Sequence, residues 1–393
     1  MIDFENDNVD QTPTARIKVL GVGGAGGNTI NSMIDAEYSG VEFIAANTDA
    51  QALRASKAPL KLQLGSKSTK GLGAGANPEL GKRAAEEDLE TIEKYLSNAD
   101  VVFLTGGLGG GTGSGALPVI ARVLKEHNIL TIAVITKPFD FEGKRRMNVA
   151  DNALELLQKE VDTLIVIPNQ KLLAVTDEHV SLINAFGMIN NVVHQFVRSI
   201  SDIITQPGHI NVDFADVKAI MKDMGLAVMG TGRAKGVDRA QEAALEAITS
   251  PLLENMDIKG ARGVLINITG NSRLGLHEVS AATSIIYEQA HKDASIILGA
   301  VIDESLGDEV SVTIIATGFE PVLATQPTMQ IKPTTRDHAI QEIHVQEIKT
   351  EPICEAPKAV MAKQENPILI NTDDIEVPTA LRRMALDQQQ QKN

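Results

Sequence analysis

The chain has no tryptophan, a single cysteine and only 3% aromatic residues. So few rings leave little surface on which nucleic-acid bases can stack. The lone Cys354 excludes an internal disulfide, and no Cys/His cluster has zinc spacing, so no metal-ligating set is expected. No apolar run approaches the roughly 20 residues that a membrane-spanning helix needs. Residues Met1 to Asp7 are acidic where a secretory signal would be basic, so a cytoplasmic protein is expected. Positive charge is also in deficit. With 36 Lys and Arg against 51 Asp and Glu, the net charge of −15 argues against nucleic-acid partners and against charge-held attachment to an acidic membrane. The phosphate-loop spelling Gly-x-x-x-x-Gly-Lys-Ser/Thr is missing too, which argues against a P-loop nucleotidase.

What is there is glycine, 32 residues of it, in a chain of 393 that is long enough for two buried cores and tails. Residues 1–14 are polar and aperiodic, and read as a flexible arm. From Ile17, β-rich runs at Ile17–Val22, Val41–Ala46, Val101–Thr105, Leu130–Thr136 and Thr163–Ile167 alternate with helical patterns such as Pro78–Leu96 and Arg146–Val161. Continuous apolar strands separated by helices predict a doubly wound parallel α/β sheet, here over residues 15–179. A helix of about 25 residues follows at 180–206, its buried stripe running Leu182, Ile183, Phe186, Ile189, Val193, Phe196, Val197, Ile200 and Ile203. Pro207 and Gly208 stop it. Strands at Val264–Thr269, Ile296–Ile302 and Val310–Thr317, with helices at Arg239–Ser250 and His277–His291, predict a second, smaller α/β domain over 207–318. Proline-punctuated polar sequence over 319–370 reads as a disordered linker. Residues 371–393 hold a short mixed segment, Asp373 to Arg383, and a glutamine-rich end.

The chemistry resides in the glycines. Gly21 to Asn28 joins the first strand to a helix, so backbone N–H groups face any anion there. Alone, this spelling also fits the dinucleotide fingerprint Gly-x-Gly-x-x-Gly, with Asp49 as a ribose-binding acid, and a nicotinamide enzyme stands as a rival. A second cluster, Gly106 to Gly115, also follows a strand and opens a helix. Two such turns suggest a polyphosphate held from both sides, with Thr112 and Ser114 adding hydroxyl donors. Gly71 to Pro78 is a third loop of the kind, and none of the three has an evident stabilising role.

Gly109 to Gly115 resembles the signature of the tubulin/FtsZ family. Gly24 to Asn28, Asn47-Thr48-Asp49, Gly71 to Gly81, Pro138 to Arg146 and Asn211 to Val217 resemble further loops of that family, in order, over roughly Ile17 to Gly318. The resemblance implies a GTP- and GDP-binding domain that hydrolyses GTP. It implies that Gly24, Ala25, Gly26, Gly27, Asn28, Asn47, Gly75, Ala76, Gly109, Gly110, Gly111, Thr112 and Gly113 bind the nucleotide, with Gly24 to Asn28 and Gly109 to Gly115 cradling its phosphates. Glu142 and Arg146 would meet the ribose and nucleotide, and Phe186 and Asn190 the guanine. The carbonyl oxygen of Asn190 can accept from guanine N1–H or its 2-amino group, which adenine lacks. Each side chain also has a plainer reading: Phe186 as core, and Glu142 with Arg146 as an ordinary i, i+4 pair.

Asp213 and Asp216, with Asn211, are the catalytic residues that the resemblance implies; on the residues alone, Asp213 or Asn211 also reads as a helix cap. If Asn190 touches the base, Gln206 lies 16 residues further along the same helix, about 24 Å away. The aspartates then serve the nucleotide of a neighbouring subunit, and the family's head-to-tail homopolymer makes the site. Mg²⁺, held largely by phosphate and water, is inferred from the chemistry, and K⁺ is a further candidate. The family's terminal peptide binds adaptors, FtsA and ZipA, which tether filaments to the membrane indirectly at mid-cell. Residues 373–383 resemble that peptide, with Ala380 where the family usually has phenylalanine. A cargo-moving filament of the same chemistry is the remaining alternative.

Overall fold

The computed structural model describes residues 15–173, 180–205, 212–253 and 258–319. The arm over 1–14, Gln206 to Asn211, Cys354, the linker beyond Phe319 and the terminal peptide lie outside these residues.

Strand and helix alternate through the first part: β1 (Ile17–Val22), α1 (Gly23–Asp35), β2 (Glu42–Asn47), α2 (Ala50–Ala55), β3 (Leu60–Gln63), α3 (Pro78–Glu87), α4 (Leu89–Leu96), β4 (Val101–Gly107), α5 (Thr112–Glu126), β5 (Leu130–Lys137), α6 (Lys144–Gln158), β6 (Thr163–Pro168) and α7 (Asn169–Leu173). The long helix is α8 (Leu182–Thr205). After it come α9 (Phe214–Met221), β7 (Gly225–Lys235), α10 (Arg239–Ile248), β8 (Gly263–Gly270), α11 (Leu276–Gln289), β9 (Ser295–Ile302) and β10 (Glu309–Thr317). The ten strands of the described residues form one sheet, in the order β3-β2-β1-β4-β5-β6-β7-β10-β8-β9. β1 to β6 are parallel, and β7 continues them by pairing Thr163–Ile165 with Gly225–Ala227. β10 runs antiparallel between β7 and β8. The strands expected for a second domain therefore extend the sheet of the first.

Alternation along the strands supplies both faces of the sheet with core. Val19, Phe103, Ile132 and Val134 pack on the face covered by α1, α8 and α9, while Leu20, Val22, Leu104 and Ile135 pack under α3 to α6. On α8 the stripe Ile189, Val193, Phe196, Val197, Ile200 and Ile203 is buried, each side chain contributing roughly 1.5–3 kcal/mol. Its expected upper end departs from that pattern: Ile183 is 84% exposed, and Phe186, 41% exposed, lines a cleft.

Three elements differ from the reading of the sequence. The pattern Pro78–Leu96 is two helices, broken at Asp88, whose carboxylate leaves the helical register to accept the Gly65 N–H at 2.6 Å. β3 is a short edge strand with lysine and glutamine on one face, too brief for a period to register. β7 is rich in glycine, which lowers its strand signal. The reason for one of those glycines is contact: a Cβ on Gly230 would lie 2.0 Å from the Ala247 carbonyl oxygen of α10.

A charged chain ties the parts together. The Tyr38 hydroxyl after α1 reaches Asp202 on α8 at 3.4 Å, Asp202 accepts from Arg198 at 3.1 Å, and Arg198 reaches Asp303, between β9 and β10, at 2.7 Å. Burial pushes the Asp202 carboxyl up against the pull of Arg198. Burial would raise Asp303 too, but the Ser305 hydroxyl and N–H, with Arg198, hold it below the usual range.

Gly230→Ala should cost about 1–3 kcal/mol of unfolding free energy, because α10 must back away from β7. Gly187→Ala, with nothing within 4 Å of its added methyl, should be neutral or stabilise by up to about 1 kcal/mol. Denaturant midpoints of the two variants check both.

Candidate functional site

The order β3-β2-β1-β4-β5-β6 reverses direction between β1 and β4, which lie side by side with Val22 opposite Gly106. A crevice opens at the C-terminal ends of strands where winding reverses. The turns after β1 and β4 therefore meet there, and α1 and α5 both start at it.

Those two helix N-termini are bare. Neither α1 nor α5 has a side-chain cap or an acidic residue in its first turn. By contrast, Asp49 caps α2, Asn77 caps α3 and Asp213 caps α9. The first N–H groups of α1 and α5 have no intrahelical acceptor, and the positive ends of both dipoles point into the crevice. An anion is the natural partner for both.

The crevice is a cleft of about 430 Å³. Of the residues predicted for nucleotide binding, Gly24, Ala25, Asn28, Gly110, Gly111, Thr112, Gly113, Glu142, Arg146, Phe186 and Asn190 line it. Gly27 and Asn47 line an adjoining cavity of about 160 Å³ that shares Gly24 and Asn28 with it. Gly26 lies beneath the turn, where a Cβ would come 2.6 Å from the Thr105 carbonyl oxygen. Gly109 has left-handed backbone (φ 93°) and donates its N–H to Ser114 Oγ at 2.9 Å. Ser114 is buried, so it braces the turn instead of facing the cleft as expected. Gly75 and Ala76 form a left-handed turn (φ 56° and 58°) beside the cleft, and the following Asn77 sits against Gly111. The Thr48 and Thr112 hydroxyls meet at 2.7 Å and tie the β2 turn to the start of α5.

The glycine clusters also carry structure, contrary to the reading of the sequence. α3 crosses α5 so closely that a Cβ on Gly115 would lie 2.1 Å from the Pro78 carbonyl oxygen. Gly24, Gly27 and Gly110 differ, having nothing within 4 Å of such an atom.

At the other end of the cleft, Phe186 stands edge-on to Phe139 (5.6 Å between centroids), and Phe139 stacks on Phe141 at 4.9 Å. Glu142 accepts the Phe139 N–H at 2.9 Å and pairs with Arg146 at 2.5 Å, so the i, i+4 pair forms while both residues line the cleft. The Thr29 hydroxyl joins the Ala25 carbonyl and the Asn190 amide, each at 3.1 Å.

Thr29 and Asn169 are among the lining residues that escaped the sequence reading. Asn169 directly follows β6, and position at the end of a parallel strand is the signal that marks it. It is 5% exposed, and among the described residues its Oδ1 has no hydrogen-bond partner.

The catalytic candidates lie elsewhere. Asn211 is outside the described residues. Asp213 and Asp216 are exposed at the start of α9, the Asp213 carboxylate capping the helix through the Asp216 N–H at 2.8 Å. α9 is anchored at the N-terminal ends of the strands. Thr163, first in β6, donates to the Met221 carbonyl; Thr317, opposite the first residue of β8, donates to the Ile220 carbonyl at 2.8 Å. Lys218 helps lower the Asp100 carboxyl just before β4, after the larger effect of the Arg16 N–H. The glycine turns follow β1 and β4 at the opposite, C-terminal ends of the sheet's parallel strands, the length of the seven-residue β4, or about 20 Å, from its N-terminal end.

A doubly wound sheet with two bare helix N-termini at its switch point defines a nucleotide-binding α/β protein whose phosphates are held by backbone. The family model "Tubulin/FtsZ family, GTPase domain" matches residues 16–177, and "FtsZ family, C-terminal domain" matches 225–320. The Cell division protein FtsZ of Pseudomonas putida is 48% identical over 384 residues, 96% of this chain and 91% of that protein. That of Pseudomonas aeruginosa is 53% identical over 82% of this chain and 83% of its own length. The solved FtsZ dimer of M. jannaschii is 44% identical with a TM-score of 0.75, covering 78% of this chain and 89% of that one. The chain belongs to the Tubulin/FtsZ family, and it is a GTPase that binds GTP and GDP. The nicotinamide alternative is thereby set aside.

If GDP supplies the donor that the buried Asn169 Oδ1 lacks, Asn169→Ala should weaken GDP binding by about 1–3 kcal/mol. Titration of GDP against the variant checks this, with thermal unfolding close to wild type.

Proposed function

We propose that this GTPase polymerises head to tail into the filaments of bacterial division, and that GTP is hydrolysed between subunits by Asp213 and Asp216 supplied in trans. The observation that carries the reading is the separation of the aspartates and the anion site to opposite edges of one sheet. An interface that stacks one edge on the other completes both at once. Such a contact is heterologous and does not close, so it extends into a filament. The division role is drawn from relatives that carry the name Cell division protein FtsZ, and self-association from the solved dimer.

In this reading the first N–H groups of α1 and α5 hold the phosphates, Glu142 and Arg146 meet the ribose, and Phe186, Asn190 and Asn169 hold the guanine. Asn211 assists at the terminal phosphate from the neighbouring subunit. Asp213 is fixed in orientation by its cap, and Asp216 faces solvent from the same turn. Together they orient a water whose oxygen attacks the γ-phosphorus as the bond to the β-phosphate oxygen breaks. The water's proton passes to carboxylate or solvent, and GDP keeps the bridging electron pair. Positioning and charge neutralisation suffice for such a transfer.

The donors in the cleft suit Mg²⁺ of a particular kind. Among the described lining residues the one carboxylate, Glu142, is committed to Arg146. The ion would keep mainly phosphate and water oxygens, with the Thr112 hydroxyl and the Asn28 amide oxygen among the oxygens that the cleft could offer it. When bound it offsets phosphate charge; K⁺ is a further candidate. Among the described residues no helix is long and apolar enough to cross a membrane. Attachment at mid-cell would run through adaptors resembling FtsA and ZipA, engaged by residues 373–383.

Asp216→Ala should bind GTP as wild type does while releasing phosphate at least tenfold more slowly, on the scale of losing a water-positioning group. Wild-type turnover per subunit should fall towards zero on dilution below the assembly threshold. Phosphate release and light scattering, measured across concentration, check both; turnover that stays constant on dilution rules out a shared site.

A further inference from the structure

We propose that Thr29 is a specificity-setting, positioning residue of the nucleotide site, its hydroxyl fixing which end of the Asn190 amide faces the base. The inference rests on Asn190 being a base contact, as read above.

Thr29 lies on α1 one turn after Ala25, is 3% exposed and lines the cleft. Its Oγ1 is 3.1 Å from the Ala25 carbonyl oxygen and 3.1 Å from Asn190 Oδ1. A hydroxyl has one hydrogen and two lone pairs, so it donates fully to one of these acceptors only. Two arrangements fit the same heavy-atom positions, because the oxygen and nitrogen of an amide have nearly the same shape. In the first, Thr29 donates to Asn190 Oδ1, and the amide NH₂ faces the cleft. In the second, the amide is turned about. Thr29 then donates to the Ala25 carbonyl and accepts from Asn190 Nδ2, and Oδ1 faces the cleft.

Guanine favours the second. Its N1–H and 2-amino group donate, while adenine offers an acceptor at N1. With Oδ1 outward, one unbroken chain runs from guanine N–H to Asn190 Oδ1, from Asn190 Nδ2–H to Thr29 Oγ1, and from the Thr29 O–H to the Ala25 carbonyl. The amide oxygen and the threonine hydroxyl are both satisfied, and the chain ends in the first turn of α1, the turn that faces the phosphates. With valine at 29 neither amide orientation has an inner partner, and the NH₂-outward form, which accommodates adenine N1, competes on equal terms. Guanine selectivity is thus set from behind Asn190, by a side chain that need not touch the base.

The test measures affinities of GDP, IDP and ADP for the full chain as wild type, Thr29→Val, Thr29→Ser and Asn190→Ala. Thr29→Val should lower the GDP-to-ADP affinity ratio by about three- to tenfold, the worth of one hydrogen bond, with thermal unfolding nearly unchanged. Thr29→Ser should restore the ratio. In an Asn190→Ala background, Thr29→Val should have no further effect on it. An unchanged ratio in Thr29→Val, beside weakened GDP binding in Asn190→Ala, overturns the role of Thr29 alone. Wild-type GDP affinity in Asn190→Ala overturns the base-contact reading beneath it.

Discussion

The polarity of the parallel sheet is the constraint on which the rest depends. In parallel strands every connecting helix that follows a strand begins at the same edge, so helix N-termini gather there. At β1 and β4 the winding reverses, and α1 and α5 begin side by side at one crevice. Their uncapped N–H groups and dipoles make an anion site without lysine or arginine from a phosphate loop. The same polarity keeps α9 away. Its carbonyls are tied to Thr163 and Thr317 at the opposite edge, and the length of the strands fixes the separation.

Close packing shapes the site as much as hydrogen bonding does. Glycine in the turns serves two ends: Gly24 and Gly110 leave room, while Gly26 and Gly115 let backbone press on backbone. A helix start without a side-chain cap forgoes about 0.5–2 kcal/mol. α1 and α5 accept that cost as α6 does, but only α1 and α5 among these begin side by side at the switch point, with the residues of both first turns lining one cleft. Behind the site, Tyr38, Asp202, Arg198 and Asp303 join α1 to α8 and to the β9–β10 turn, so the phosphate helix is mechanically continuous with the far part of the sheet.

Much of this was legible in the sequence, for identifiable reasons. Fully buried strands such as β1, β4 and β5 read as unbroken apolar runs, and glycine turns between strand and helix announce an anion site. Local pattern was silent where tertiary contact decides. β7 hides behind glycines that admit α10, the α3–α4 break depends on Asp88 reaching Gly65, and β3 is too short to show a period. Asn169 and Thr29 carry no motif, since their meaning comes from Asn190, 21 and 161 residues further on, which lines the same cleft as Asn169 and meets the Thr29 hydroxyl. Asp213 shows the converse: the plainer reading as a helix cap is realised, and it coexists with solvent exposure of both carboxylates.

The central claim is that a complete catalytic site requires two chains. Mixing two inactive variants tests it most directly: Asp216→Ala, which keeps its anion site, and Gly110→Asp, which sets a carboxylate where phosphate would bind but keeps α9 intact. The nucleotide face of the first against the α9 face of the second is a complete junction. The account predicts that the mixture releases phosphate from GTP while neither variant does so alone. Turnover of the mixture no greater than the sum of its parts, at concentrations where both join filaments, would contradict it.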